Sequence, residues 1–192
     1  MAKIFLKKNE EHRIKNGHLW IFSNEVDKIK GEIENGGIAE VYDNKNNFLG
    51  SGFYNKNSLI TVRLFGKSYE GDFNSYVKEK LLKAYELRKL FYPHRESFRL
   101  VFSESDYLQG LIIDKYNNTY VLQINSFGMQ KNINSVVDII RREFKAKNIF
   151  TRNESYFRKL EGLSESDDVY LGNVGEEIID DGKIKYRIDF TT

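Results

Sequence analysis

Through the first 65 residues apolar positions fall in short runs between polar stretches, and from Gly36 the pattern is one of strands. Lys3–Lys7 is a short strand candidate, and Leu19-Trp20-Ile21-Phe22 is a further apolar run. Ile38–Asp43 and Phe48–Tyr54 flank the polar Asn44-Lys45-Asn46-Asn47 and read as a hairpin. Gly50 and Gly52, inside its second strand, imply a bulge, a tight bend, or backbone close to a ligand. Ser58–Phe65 alternates, with Ile60, Val62 and Leu64 on one face and Thr61 and Arg63 on the other. Many short strands so close together predict a small β-barrel or sandwich.

The period then changes. Gly66–Gly71 is polar and marks a boundary, and Asp72 is a candidate N-cap for a helix to about Phe91. That helix carries Phe73, Val77, Leu81, Ala84, Leu87 and Phe91 near helical spacing, and Pro93 closes it. Two apolar runs, Leu100–Phe102 and Leu111–Ile113, enclose a loop rich in Ser, Glu, Asp and Gly, the pattern of two buried strands. Thr119–Asn125 places Tyr120, Leu122 and Ile124 on one face. Gln130–Lys147 reads as a second helix, with Ile133, Val136, Val137, Ile140 and Phe144 as its stripe. A short strand, Asn148–Arg152, follows. Glu176–Asp180 and the strictly alternating Lys183–Phe190 flank an Asp181-Gly182 turn. The expected fold class is therefore α+β: a small N-terminal β-barrel over residues 1–68, then an α+β domain over 69–192. The second domain begins with a connecting helix and combines an antiparallel sheet with helices.

Composition narrows the chemistry. The chain is 40% hydrophobic and 30% charged, an ordinary globular balance, and its formal charge of +2 excludes a polycation that holds nucleic acid by charge alone. Residues 1–68 carry 11 Lys and Arg against 8 Asp and Glu, whereas the remainder carries 19 against 20, so the basic surplus sits at the front. The absence of cysteine removes disulfides, thiolate metal sites and cysteine nucleophiles. No Gly-x-Gly-x-x-Gly or Walker pattern occurs, and His12, His18 and His94 lack metal-ligand spacing, so no metal is expected. With no 18-residue apolar run and no leader-like segment, the expectation is a cytoplasmic protein without membrane contact.

Two constellations carry candidate chemistry. At the front, Arg13, Lys15 and His18 adjoin Trp20, which suits phosphate contact with an aromatic for stacking, although Trp20 and Phe22 also suit plain core. In the second half, Glu104, Asp106 and Asp114 lie beside apolar strands, so they must be solvated, paired or used. Arg99, Arg152 and Arg158 are their candidate partners, with Glu161 as a fourth acid. An internal network of these seven is favoured over an arginine face for phosphate. Glu104 and Asp106 also permit a glycosidase-like carboxylate pair, an arrangement for which no substrate suggests itself.

The ordered segments resemble the bacterial 23S rRNA cytosine-C5 methyltransferases that begin with a PUA domain. Arg13-Ile14-Lys15-Asn16-Gly17-His18-Leu19-Trp20-Ile21-Phe22 is similar to the family's N-terminal motif. Gly50-Ser51-Gly52-Phe53, Ser58–Arg63 and the run from Arg99 to Tyr116 match its next elements, as do Gly128-Met129 and Arg158-x-x-Glu161-Gly162-Leu163. Tyr107 stands where the family has glycine and Gln109 where it has proline, which puts that loop's tight turn in question.

The resemblance implies a PUA RNA-binding domain over residues 1 to about 68 and then the family's central EEHB domain. It also implies RNA, specifically 23S rRNA, as partner in rRNA processing, with Arg13, Lys15, His18, Trp20 and Arg63 as contacts. The family's methyltransferase domain, which binds S-adenosylmethionine, would follow Thr192. Carbon-5 methylation needs a cysteine thiolate and the methyl donor, so the chain as given is expected to be truncated, catalytically silent and without a cofactor of its own. The competing expectation is a protein-interaction module, a homodimer or the partner of a separate catalytic chain, built on the final strand and its open edge.

Overall fold

A computed structural model describes residues 1–66, 69–180 and 182–191. The expected boundary at Lys67 and Ser68, and Asp181 of the expected hairpin turn, lie outside the described residues. The front of the chain forms β1 (Ala2–Leu6), α1 (Glu11–Lys15), β2 (Trp20–Phe22), a one-turn 3-10 helix (Ser23–Glu25), β3 (Val26–Lys30), β4 (Ile38–Tyr42), β5 (Phe48–Tyr54) and β6 (Ile60–Leu64). These strands make one sheet in the order β2-β6-β5-β4-β1-β3, in which β1 and β4 run parallel and every other neighbour antiparallel.

The two edge strands, β2 and β3, are consecutive in the chain and separated only by Ser23–Glu25. A flat six-stranded sheet cannot bring its edges that close, so the sheet curls until they meet at this turn. Glu25 holds the join: its side chain accepts from the Phe22 amide at 2.7 Å and from Arg13 Nη1 at 2.6 Å, and its carbonyl accepts from the Lys7 amide at 2.9 Å. The concave side is filled by Ile4, Leu6, Ile21, Ala39, Val41, Tyr54, Val62 and Leu64. A β-carbon on Gly52 would lie 2.3 Å from the Arg63 carbonyl oxygen, so the close neighbouring strand demands that glycine.

The rest of the chain forms α2 (Phe73–Phe91), β7 (Ser97–Phe102), β8 (Leu111–Tyr116), β9 (Thr119–Ile124), α3 (Phe127–Lys131), α4 (Ile133–Phe144), β10 (Asn148–Thr151), α5 (Ser155–Glu161), β11 (Val169–Leu171), β12 (Glu176–Asp180) and β13 (Lys185–Asp189). The second sheet runs β11-β10-β9-β8-β7, with β9 and β10 as its parallel pair, and β12 and β13 make a separate hairpin. Asp72 caps α2 as expected, accepting from the Asn74 and Ser75 amides.

The helix expected over 130–147 is instead two. The Asn132 side chain takes the Gly128 carbonyl at 2.8 Å, which its own amide would take in a continuing helix, and that amide turns to the Met129 carbonyl. Lys145 then ends α4 in the left-handed region. Of the face expected on the last strand, Phe190 is buried against Val121 and Phe150, whereas Ile184 and Tyr186 are exposed. Strand alternation or helical spacing gave no sign of α1, β3, α5 or β11.

The larger core does not stop at the boundary. It joins Leu100, Leu111, Ile113, Tyr120 and Leu122 of the second sheet to Val77, Leu81, Val136 and Ile140 of the helices, and it includes Phe53 and Phe65 from the curled sheet. Gly128 explains how closely the halves approach: a β-carbon there would sit 2.1 Å from Phe53 Cγ. Gly128→Ala is therefore expected to destabilise the chain by about 1–3 kcal/mol through overpacking, read by denaturant unfolding. An unchanged midpoint would show that α3 does not rest on Phe53.

Candidate functional site

Between the two sheets lies one carboxylate that both share. Arg158, three residues before Glu161 on the one short helix α5, is 1% exposed and anchors that helix by donating to the Ile124 carbonyl at 3.0 Å, to Gln130 Oε1 at 2.9 Å and to the Ser164 carbonyl. Gly162, at φ +74°, closes the helix. Glu161 is thereby aimed into the seam, 3% exposed. It accepts from Arg63 Nη2 at 2.9 Å, Ser58 Oγ at 2.7 Å, Asn55 Nδ2 at 3.0 Å and the Phe127 amide at 3.1 Å. Burial pushes its carboxyl up, but the Arg63 charge and these hydrogen bonds outweigh burial and hold it below its ordinary value of 4.5.

Arg63 also reaches across to Glu104, 3.7 Å from its Nη1, and lies over the Trp20 ring at 5.5 Å. Trp20 Nε1 donates to Glu104 Oε1 at 2.8 Å, tying β2 to the loop after β7. Beyond this tie opens a cleft of about 440 Å³, lined by Gly17, His18, Leu19, Trp20, Glu104, Ser105 and Tyr107. Along its front side His18 and Trp20 stand edge to face with centroids 5.8 Å apart, and Phe22 continues the row behind the lining, 6.4 Å from Trp20. Arg13 bonds His18 Nε2 at 2.8 Å and covers Phe22 at 5.0 Å. Tyr107 closes the other side at φ +58°, so the tight turn forms with a tyrosine in the left-handed region that glycine prefers. Its carbonyl accepts from Tyr76 Oη at 2.7 Å, which helps hold the turn.

Four of the five expected front contacts, Arg13, His18, Trp20 and Arg63, thus gather around the seam. Lys15 turns to Asp43, 3.4 Å away, whose carboxyl the Asn47 side chain and two amides hold down to about 2. The seven residues expected as one network are divided instead. Asp106 takes both nitrogens of Arg88, at 2.6 and 2.7 Å, and the Phe102 amide, a structural role that leaves it no free oxygen geometry for proton transfer. Arg99 pairs bidentately with Asp114 at 2.8 and 2.9 Å, which raises its already high pKa. Arg152 donates to the Thr151 and Phe190 carbonyls and lies 3.6 Å from Asp167. Glu104 and Glu161 meet through Arg63. Sequence reasoning missed Asn55, Ser58, Arg88 and the Phe127 amide, because partners 18 to 106 residues apart and on different elements leave no periodic trace.

Residues 4–67 match the family model described as a PUA-like domain. Over 193 residues the chain is 31% identical to ribosomal RNA large subunit methyltransferase I of Tolumonas auensis, covering 97% of this chain and 48% of that protein. Over 158 residues it is 33% identical to a candidate ribosomal RNA large subunit methyltransferase of Methanocaldococcus jannaschii, covering 82% of this chain and 40% of that one. A solved structure of a candidate SAM-dependent methyltransferase from Streptococcus mutans superimposes on all of this chain and 49% of its own, with a TM-score of 0.78 at 15% identity, a likeness of fold. The chain spans less than half the length of these curated relatives. No helix among the described residues is long and apolar enough to cross a membrane.

At the N-terminus of α3 the residues present do not fit S-adenosylmethionine. The parallel pair β9 and β10, connected through α3 and α4, has the topology in which a helix N-terminus can receive a nucleotide. Here the Phe127 amide at that N-terminus is already bonded to Glu161 and the Met129 amide to Ser126 Oγ. The described residues offer this donor no unfilled cradle at that point.

Glu161→Ala removes the carboxylate that Arg63 and Ser58 donate to and is expected to cost about 3–5 kcal/mol at neutral pH in denaturant unfolding. Because the folded carboxyl is held below 4.5, its contribution is complete above that pH and is lost as pH falls through the lowered folded value. Wild-type stability should therefore fall more steeply below pH 4.5 than that of Glu161→Gln. Parallel curves would show that the carboxylate adds nothing.

Proposed function

Taking the chain to share the ancestry of the ribosomal RNA large subunit methyltransferases it resembles, we propose that it recognises ribosomal RNA, of the 23S class, through the seam cleft. The observation that carries the reading is the pair of rings His18 and Trp20 at the wall of a cleft large enough for a nucleotide, with Arg13 bonded to His18 beside it. Rings standing at a cleft wall offer stacking to an unpaired base, and Arg13, half exposed, offers a charge for phosphate. Arg63 acts from behind: held by Glu161 and Glu104, it fixes the Trp20 ring and joins the PUA-like domain, residues 1–68, to the EEHB-like domain, residues 69–192. In this reading the chain positions RNA, and methyl transfer belongs to a catalytic domain of the kind its relatives possess.

A second reading, docking of a partner chain or a second copy, is favoured by the β12–β13 hairpin. Ile178 is 65% and Ile184 57% exposed there, more apolar surface than a two-stranded sheet leaves uncovered without reason. A sedimentation profile that stays monomeric at every concentration would remove the second-copy form of this reading.

Filter binding to transcribed 23S rRNA at low salt tests the first. The wild-type chain should bind with strong salt dependence, Trp20→Ala should weaken binding about tenfold, and Arg13→Ala should weaken it and lower the salt slope by about 0.7–0.9. Absence of binding at low salt, or unchanged affinity in both variants, would overturn the proposal.

A further inference from the structure

The convex face of the curled sheet is divided in two. Toward β5 and β6 it carries Phe53 and Arg63, which are covered by α3 and held by Glu161. Toward β4, β1 and β3 the strand register sets a different surface. Phe5 lies opposite Lys28 on one side and Tyr42 on the other, and Tyr42 lies opposite Phe48. One step along, Lys3 lies between Lys30 and Glu40. Three rings therefore cross three adjacent strands, with centroids 5.5 and 5.7 Å apart.

Lysines converge on these rings. Lys3 Nζ is 5.1 Å from the Tyr42 centroid, and Lys28 and Lys30 are 5.5 and 5.2 Å from that of Phe5. Their stems cover Phe5, which is buried, whereas Phe48 at the end of the row is 58% exposed. The only carboxylate in these two rows is Glu40, which accepts from Tyr42 Oη at 2.9 Å and lies 3.9 Å from Lys3. Lys28 has Asp27 at 3.8 Å, on its own strand, and Lys30 has no carboxylate partner among the described residues. A cluster of lysines alone is usually a solvated face. What distinguishes this one is the row of rings beneath it, the combination by which sheet faces hold unpaired nucleic acid: cations along the backbone and π-faces for successive bases.

We propose that this open half of the sheet is a surface for single-stranded RNA, separate from the seam cleft. Bases stack on Phe48 and Tyr42, and phosphates run along Lys3, Lys28 and Lys30. The proposal rests on the RNA reading above and adds to it a second surface, which takes an unpaired strand because the bases of an A-form duplex cannot reach the rings.

The test is titration of the intact chain with fluorescein-labelled dodecauridylate at low salt, beside transcribed 23S rRNA. Phe48→Ala should weaken dodecauridylate binding about tenfold without changing the salt slope, whereas Lys28→Ala with Lys30→Ala should lower the slope by about 0.7 per lysine. All three positions are solvent-exposed, so thermal unfolding should stay at the wild-type midpoint. If 23S rRNA binds but Phe48→Ala takes up dodecauridylate like the wild type, the stacking surface is overturned while the RNA reading stands. If the wild type binds neither RNA, the RNA reading fails and this proposal with it.

Discussion

A carboxylate taken out of water must be compensated by donors close at hand, and Glu161 is compensated from both halves of the molecule. Arg63, Ser58 and Asn55 come to it from the curled sheet, and the Phe127 amide comes from the second half of the chain. These donors converge on one side chain, so separating the halves would break their bonds to it together. The apolar contacts are arranged around the same point. Phe53 meets the bare face of Gly128 one residue beyond the Phe127 amide, and Phe65 packs with Phe53, Phe73 and Tyr76. The polar hub fixes the geometry of the seam, and the rings pack around it.

From this anchoring the cleft follows. Arg63 is held on one side by Glu161 and on the other reaches Glu104, which also accepts from Trp20. Trp20 is therefore not free to turn, and the row of rings that it shares with His18 and Phe22 keeps one orientation toward the cleft. Tyr107 holds the opposite wall in a backbone conformation that disfavours a side chain by about 1–2 kcal/mol, a strain retained beside the cleft. Recognition, in this account, depends less on how many cations face the RNA than on how firmly the aromatic wall is fixed.

Much of the scaffold was legible because it rests on local periodicity. The hairpin of β4 and β5, the alternation of β6 and β9 and the Asp72 cap each follow from residues near one another in the chain. The break at Asn132 was not legible, because it depends on an amide side chain replacing a backbone donor, which no apolar spacing records. Helix α5 is too short for periodicity to show. The candidate site was partly legible: Arg13, His18, Trp20, Arg63, Glu104 and Glu161 could be named from spacing and resemblance, but not their pairing. Arg63 reads equally as a phosphate contact and as the partner of a distant acid, and only the folded chain brings Glu161 within 2.9 Å of it. The aromatic row of Phe5, Tyr42 and Phe48 escaped notice for a related reason, since its members lie on three strands and meet only through register.

The central claim is that the Glu161 hub holds the two halves as one body that presents the cleft in a fixed shape. Because the chain has no cysteine, spin labels can be placed only where intended, at Lys45→Cys on the curled sheet and Arg142→Cys on α4, both exposed. Pulsed electron–electron distance measurement at neutral pH should give one narrow distribution, and adding Glu161→Ala should broaden it. A distribution already broad in the presence of Glu161, or equally narrow without it, would contradict the account.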